Sequence, residues 1–395
     1  MEFRSDFICG NGKLIECRKK NDEDYVLFLA EQKFNEAKPI WFYFRMSGLE
    51  SKRVTFCVGN AHQFLCDTDV SYFACGAPVY RPIDGQWRRT AKYNVTFEED
   101  GFPIVEFVID DCPQDVEVAF CFPYGPEHLH NTMDQLSCFE KKCIGYSTKG
   151  NPIYRYATDG GRKTDKPGLY LTSRQHAQEV GGAWVLDGIL GYFGSEEGKK
   201  YRDQLSIWVT PMVDVDGVIA GAYGKDQAIG DMYQSWSPKF QKRTEIDCII
   251  QDMDRWDERC SEKKMIMDLH SPAHEVPDML LNVLIGRIPD EHAKQLAEFV
   301  DHVNLELAGS GLEPFKVNIV QPTTLASSQS NDYSLRTYTQ SRFNLPTYIM
   351  EMTYEGSMEG RLFDIEDYRT YGKYAAITIA KTLLNEYDDI GGDSA

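Results

Sequence analysis

The chain changes its hydrophobic rhythm about a third of the way along. In the first part, short aromatic or β-branched runs alternate with polar and Gly/Pro-containing turns. The runs are Tyr25-Val-Leu-Phe-Leu-Ala, Ile40-Trp-Phe-Tyr-Phe-Arg-Met, Arg53-Val-Thr-Phe-Cys-Val, Ile104-Val-Glu-Phe-Val-Ile and Val116-Glu-Val-Ala-Phe-Cys-Phe. No long stretch of 3.6-residue period breaks the series, which predicts an all-β, antiparallel sandwich domain over residues 1–135. The segment from Phe122 to Leu136 is a junction. Its Leu129, Met133 and Leu136 give a helix one apolar face, and His128 and His130 read there as parts of a connector.

Over residues 136–395 strands and helices alternate. Cys143-Ile-Gly-Tyr and Pro152-Ile-Tyr-Arg-Tyr-Ala read as a hairpin, and Gly168-Leu-Tyr-Leu-Thr-Ser as a buried strand. A helix follows from Val180 to Tyr192, with Val185, Leu186, Ile189 and Leu190 inward. Further strands are predicted at Ser206-Ile-Trp-Val-Thr-Pro-Met-Val, Met265-Ile-Met-Asp-Leu-His and Thr347-Tyr-Ile-Met-Glu-Met. Further helices span Gln295 to Leu307 and Tyr368 to Tyr387. The alternation predicts an α/β fold, a mixed β-sheet flanked by helices, with ligands gathered at the carboxyl ends of the strands.

Composition narrows the function classes. With 395 residues, 42% hydrophobic and 26% charged, the chain has the make-up of an ordinary globular protein with room for two domains. A net charge of −19 argues against nucleic acid and anionic membranes as general partners. The start, Met1-Glu-Phe-Arg-Ser-Asp-Phe, has neither the basic nor the apolar region of a signal peptide. No run approaches the ~18 apolar residues of a membrane span. The eleven cysteines form no C-x-x-C pair, which predicts reduced thiols in a cytoplasmic protein.

One set of residues carries chemistry. His176-Ala-Gln-Glu179 follows the buried strand, and an imidazole and a carboxylate three residues apart can reach one ion. His270 ends the strand Met265-Ile-Met-Asp-Leu-His and can complete a three-ligand set with an open fourth position. His274, in a loop after a proline, is the rival third ligand. Glu351 lies inside an apolar strand. It is either a general base facing the site or an outward residue on an exposed strand face. Asp231 could accept a hydrogen bond from a ligand histidine or could cap a turn.

These segments together resemble the zinc carboxypeptidase family, most closely its cytosolic carboxypeptidase-like branch. Phe122-Pro-Tyr is similar to the end of that branch's N-terminal sandwich, and Ser173-Arg-Gln-His-Ala-Gln-Glu to the family's first zinc motif. Pro211-Met-Val-Asp-Val-Asp-Gly-Val resembles its Pro-x-x-Asn-Pro-Asp-Gly segment. Asp268-Leu-His270 and Tyr348-Ile-Met-Glu351 resemble the strands bearing the third ligand and the catalytic glutamate. The resemblance implies one Zn2+ per chain held by His176, Glu179 and His270, with Glu351 activating water to hydrolyse a peptide or amide bond. Arg174, in the same motif, is then a candidate substrate contact.

The departures from the family pattern fall on the substrate side. Where the family has Asn-Arg, which grips a terminal carboxylate, Gly230-Asp-Met-Tyr-Gln-Ser-Trp236 carries Tyr233 and Gln234. A neutral Gln lacks arginine's charged fork. A second family arginine falls near Gly224-Lys225, where Lys225 substitutes after a one-residue shift. Tyr333 and Tyr338 are the nearest candidates for the family's mobile substrate-side tyrosine. The resulting expectation is a zinc hydrolase of unusual specificity. The alternatives are an N-acyl amino acid deacylase, and a non-catalytic binding protein that retains the fold.

Overall fold

The computed structural model describes residues 1–34, 40–61, 76–97, 99, 103–225, 231–236, 243–271, 280–284, 289–320, 334–354, 356 and 361–387. Near the N-terminus two five-stranded sheets form. One has the order β1 (Glu2–Arg4), β4 (Tyr43–Ser47), β10 (Val116–Ala119), β6 (Val79–Pro82), β7 (Arg88–Arg89). The other has the order β2 (Lys13–Lys20), β3 (Glu23–Leu29), β5 (Val54–Val58), β9 (Pro103–Ile109), β8 (Asn94–Phe97). Alternation sends every second side chain inward, and the inward residues are aromatic. Phe28 of β3 meets Phe42 and Phe44 at centroid distances of 5.0 and 4.7 Å, and Phe107 of β9 stacks on Phe56 at 5.2 Å. One pairing departs from the antiparallel expectation: β3 and β5 run parallel. The cause is topological, because the chain crosses to the opposite sheet as β4 before it returns as β5.

The second half is built on an eight-stranded mixed sheet. Its order is β11 (Glu140–Tyr146), β12 (Pro152–Ala157), β14 (Ser206–Thr210), β13 (Gly168–Ser173), β15 (Lys264–His270), β18 (Thr347–Glu351), β16 (Leu280–Leu284), β17 (Lys316–Val320). The predicted hairpin, buried strand and strand ends are all present. β13 and β14 are buried along their whole length, as the apolar runs require of strands covered on both faces. The helices are α1 (Pro126–Gln135), α2 (Val180–Gly194), α3 (Lys199–Arg202), α4 (Val215–Ala220), α5 (Thr244–Arg259), α6 (Asp290–Leu307), α7 (Leu335–Phe343) and α8 (Ile365–Leu383).

The strand period of two divides the core. Leu169 and Leu171 of β13 pack with α2 and α8 on one face. Tyr170 of β13 and Ile266 of β15 pack with Ile246, Ile249, Met253 and Trp256 of α5 on the other. α5 lies outside the predicted elements, although those four apolar positions carry helical spacing. β14, β13, β15 and β18 run parallel, so β13, β15 and β18 end together at Ser173, His270 and Glu351. Among the described residues, no helix is long and apolar enough to cross a membrane.

Candidate metal centre

The site forms at this common edge. Parallel register pairs His270 with Glu351 directly across neighbouring strands, and pairs Ser173 with Leu269 on the other side. The chain leaving β13 turns at Arg174, which has a left-handed φ of 63°, and this turn swings His176 back over the strand ends. Glu179 then stands immediately before α2. His176, Glu179 and His270 are all buried, and one ligand-capable atom of each lies within 4.8 Å of the others. Glu179 is the hub. Its Oε1 is 2.8 Å from His176 Nδ1, its Oε2 is 2.6 Å from His270 Nδ1, and Oε2 also accepts from the Ser271 amide at 3.2 Å.

The outer nitrogen of each imidazole faces a carboxylate. His270 Nε2 is 2.7 Å from Asp268 Oδ2, and His176 Nε2 is 3.4 Å from Asp231 Oδ1. Both Nδ1 atoms therefore point inward at Glu179, with their rings oriented from behind. Asp231 also caps the short 3-10 turn Met232–Gln234 by accepting from the Tyr233 amide at 2.7 Å. The two sequence-level readings of Asp231 are thus one arrangement. Asp268 is fixed in turn by Thr172 Oγ1 at 2.7 Å and by the Gln175 amide, whose oxygen accepts from Trp236 Nε1 at 2.7 Å. Two imidazoles and one carboxylate with an open fourth position form a donor set that suits zinc.

Electrostatics follow from packing opposite charges out of water. Burial raises the Glu179 pKa, but His176 and His270 outweigh it and hold the carboxyl well below its usual range. Burial lowers His176, but Glu179 and Asp231 raise it to about 9. Burial likewise lowers His270, and Asp268 with Glu179 holds it well above the usual range. Glu351 is half-buried. Burial pushes its pKa up against the pull of His270, and Glu179 adds to the rise.

The substrate-side residues divide. Lys225 enters the site, with its Nζ 3.8 Å from Glu179 Oε1. The residue before it, Gly224, has φ of 91°, and a Cβ there would overlap the Ala177 amide. A side chain at 224 is excluded, so the cation comes from 225. The Tyr233 ring leans on both histidines, at 5.9 Å from His176 and 5.6 Å from His270. Gln234 is half-buried in the same turn. Arg174 is engaged within the protein. It is fully buried, and its guanidinium donates to Tyr124 O at 2.7 Å, to Gln178 Oε1 at 2.9 Å and to Ala177 O. These three bonds brace the loop between β13 and α2. Tyr338 packs on Trp236 and Phe343 as a core aromatic. His274, Gly230 and Tyr333 lie outside the described residues.

Two residues join the site that sequence reasoning passes over. Asp268 is one, and its i, i+2 spacing from His270 on a strand is the signal. Arg336, at the start of α7, is the other. It is 6% exposed, its Nη2 donates to Tyr233 Oη at 3.4 Å, and among the described residues its buried Nε has no hydrogen-bond partner. Nothing local in Leu335-Arg-Thr-Tyr marks it out.

Residues 129–306 match the zinc carboxypeptidase family. Cytosolic carboxypeptidase 6 of Caenorhabditis elegans is 22% identical over 288 residues, covering 68% of this chain and 62% of that protein. Cytosolic carboxypeptidase 2 of Danio rerio is 24% identical over 278 residues, covering 63% of this chain and 37% of that protein. The chain therefore spans less than two thirds of these curated relatives. Among solved structures, the metallo-carboxypeptidase of Pseudomonas aeruginosa, in complex with (2-guanidinoethylmercapto)succinic acid, superposes with a TM-score of 0.79. It is 17% identical, with 98% of this chain and 100% of that one covered. The metallo-carboxypeptidase of Burkholderia cenocepacia gives 0.78 at 16% identity, with 98% and 99% covered. The zinc carboxypeptidase fold with an N-terminal sandwich thus holds for nearly the whole chain, and the resemblance read from the motifs is borne out.

Proposed function

We propose that this chain is a zinc-dependent hydrolase of peptide or amide bonds, with His176, Glu179 and His270 holding one zinc and Glu351 as general base. The observation that carries this reading is the register of β15 on β18, which sets a half-buried carboxylate beside a metal-ligand histidine. A non-catalytic binder has no use for that juxtaposition. Zinc supplies Lewis acidity, which polarises a carbonyl and acidifies water at neutral pH. Glu351 takes a proton from the attacking water and delivers it to the leaving nitrogen, a role suited to a carboxyl whose pKa is raised. The Lys225 ammonium stabilises negative charge as it develops on the carbonyl oxygen. Asp268 and Asp231 keep the two imidazoles in the orientation that presents Nδ1.

Substrate selection rests on Arg336 in this reading. A buried guanidinium with a free Nε–H is costly unless a ligand uses it. In this reading a substrate carboxylate is its partner, in place of the missing Asn-Arg grip. The succinic acid ligand of the Pseudomonas aeruginosa neighbour is consistent with an acidic group bound in this fold. The preferred substrate is then a peptide presenting a carboxylate at the scissile end, cleaved in the cytoplasm. Residues 1–135 form the sandwich domain and residues 136–395 the catalytic domain.

The test is a panel of peptides with free, amidated or acidic C-terminal residues, given to the zinc-loaded chain. The wild type should prefer carboxylate-bearing substrates. Arg336→Gln should lose roughly ten- to a hundredfold in kcat/KM on them, the worth of one charged hydrogen-bonded pair, with little change on neutral ones. Equal loss on both classes would remove Arg336 from selection. No cleavage of any peptide or N-acyl substrate would overturn the hydrolase reading.

A further inference from the structure

The loop that carries Lys225 is held from the N-terminal sandwich. After α4 the chain turns at Gly221, whose φ is 68°, and runs through Ala222, Tyr223 and Gly224 to Lys225. One side of this loop lies on the metal motif, since the Gln178 amide donates to Tyr223 O at 3.1 Å. Its other side lies on residues 9–11. The Cys9 amide donates to Ile219 O at 3.2 Å, and Gly10 O packs so closely that a Cβ at Gly221 would overlap it. Asn11 is 1% exposed and closes the joint. Its Nδ2 donates to Gly221 O at 2.8 Å and to Glu31 O at 3.0 Å, while its Oδ1 accepts from the Glu31 amide at 2.8 Å. Its backbone is itself bridged to Tyr43 by two 2.8 Å hydrogen bonds.

We infer that Asn11 is a positioning residue of the active site, acting through the loop 221–225 to hold the Lys225 ammonium over the metal cluster. This rests on the role of Lys225 given above. The sandwich then supplies more than packing. Its rigid strand framework fixes the donor at Asn11, and Asn11 fixes the carbonyl four residues before the cation. An ammonium on a long flexible stem gains most from such anchoring, because its transition-state value depends on placement at the sub-ångström level.

The test is a double-mutant cycle in the zinc-loaded full chain, with kcat/KM measured for the wild type, Asn11→Ala, Lys225→Ala and the double variant. Asn11→Ala should lower kcat/KM by about tenfold or more when Lys225 is present, mainly in kcat, and by less than about twofold when it is absent. Losses that multiply in the double variant would overturn the inference, because Asn11 would then act independently of Lys225. A second readout needs no catalysis. Amide hydrogen exchange at 221–225 in the metal-free chain should speed up in Asn11→Ala while β15 and β18 keep their protection. Unchanged exchange there overturns the inference even if activity falls. Should Asn11→Ala not fold, Asn11→Asp carries the same test, since it keeps the shape and the acceptor for the Glu31 amide but loses the donors to Gly221 O and Glu31 O. If the wild type cleaves nothing, the hydrolase reading fails, and hydrogen exchange alone decides the role of Asn11 in holding the loop.

Discussion

The metal-free site is a cluster of opposite charges that a metal must enter by displacing protons. Glu179 and Asp231 raise His176 to about 9 against the effect of burial, and Asp268 with Glu179 raises His270 well above its usual range. Both imidazoles are therefore cationic near neutral pH until the metal arrives, and a ligand imidazole must be neutral. Lower pH stabilises the protonated cluster and weakens the metal. Apparent zinc affinity, measured by competition with a chromophoric chelator, should rise with pH through the neutral range and on to about 9, where His176 is half deprotonated. A flat affinity through the neutral range would contradict this charge arrangement. His270 and Glu351 are legible in the sequence because each ends an apolar strand run, and His176 and Glu179 because their three-residue spacing follows another. Arg336 is not, because its contact with Tyr233 joins segments 103 residues apart, and the inward turn of Arg174 is not, because it depends on a left-handed backbone and on Tyr124, 50 residues away.

At the level of elements, register does the assembling. One residue of slip between β15 and β18 would turn Glu351 to the other face and separate it from His270. Near-continuous apolar runs in Met265–Leu269 and Thr347–Met350 make the strands predictable, yet no pattern within either strand states which neighbour it pairs with. The helices above the sheet show the same limit. α2 and α8 approach until Gly188 lies on the Arg369 carbonyl and Gly372 on the Val185 carbonyl, and a Cβ at either position would overlap backbone. Gly188→Ala should therefore destabilise the fold by about 1–3 kcal/mol through overpacking. Gly191 lies in the same helix facing open space, and Gly191→Ala should stabilise it by about 0.5–1 kcal/mol. Urea midpoints compare the two, and a Gly188→Ala variant as stable as Gly191→Ala would show that α2 and α8 are not in backbone contact.

Across the whole molecule, both halves contribute to the candidate site. Asn11 holds the loop of Lys225, and Arg89 of β7 donates to Tyr354 O at 2.7 Å, three residues past Glu351. The sandwich thus holds the chain on both sides of the candidate site. Its strands are readable from their aromatic runs, but the grip is not, because Asn11 and Arg89 look like ordinary turn and edge-strand residues in the sequence. The net charge of −19 is equally uninformative about a site beside which Lys225 and Arg336 stand. The account stands or falls on Glu351 acting at a zinc held by His176, Glu179 and His270. The most direct measurement is the turnover of a cleaved peptide by zinc-loaded Glu351→Gln, with its metal content determined on the same sample. The account predicts about one zinc per chain, as in the wild type, and a rate lower by roughly a hundredfold or more. Retained zinc with an undiminished rate would contradict it.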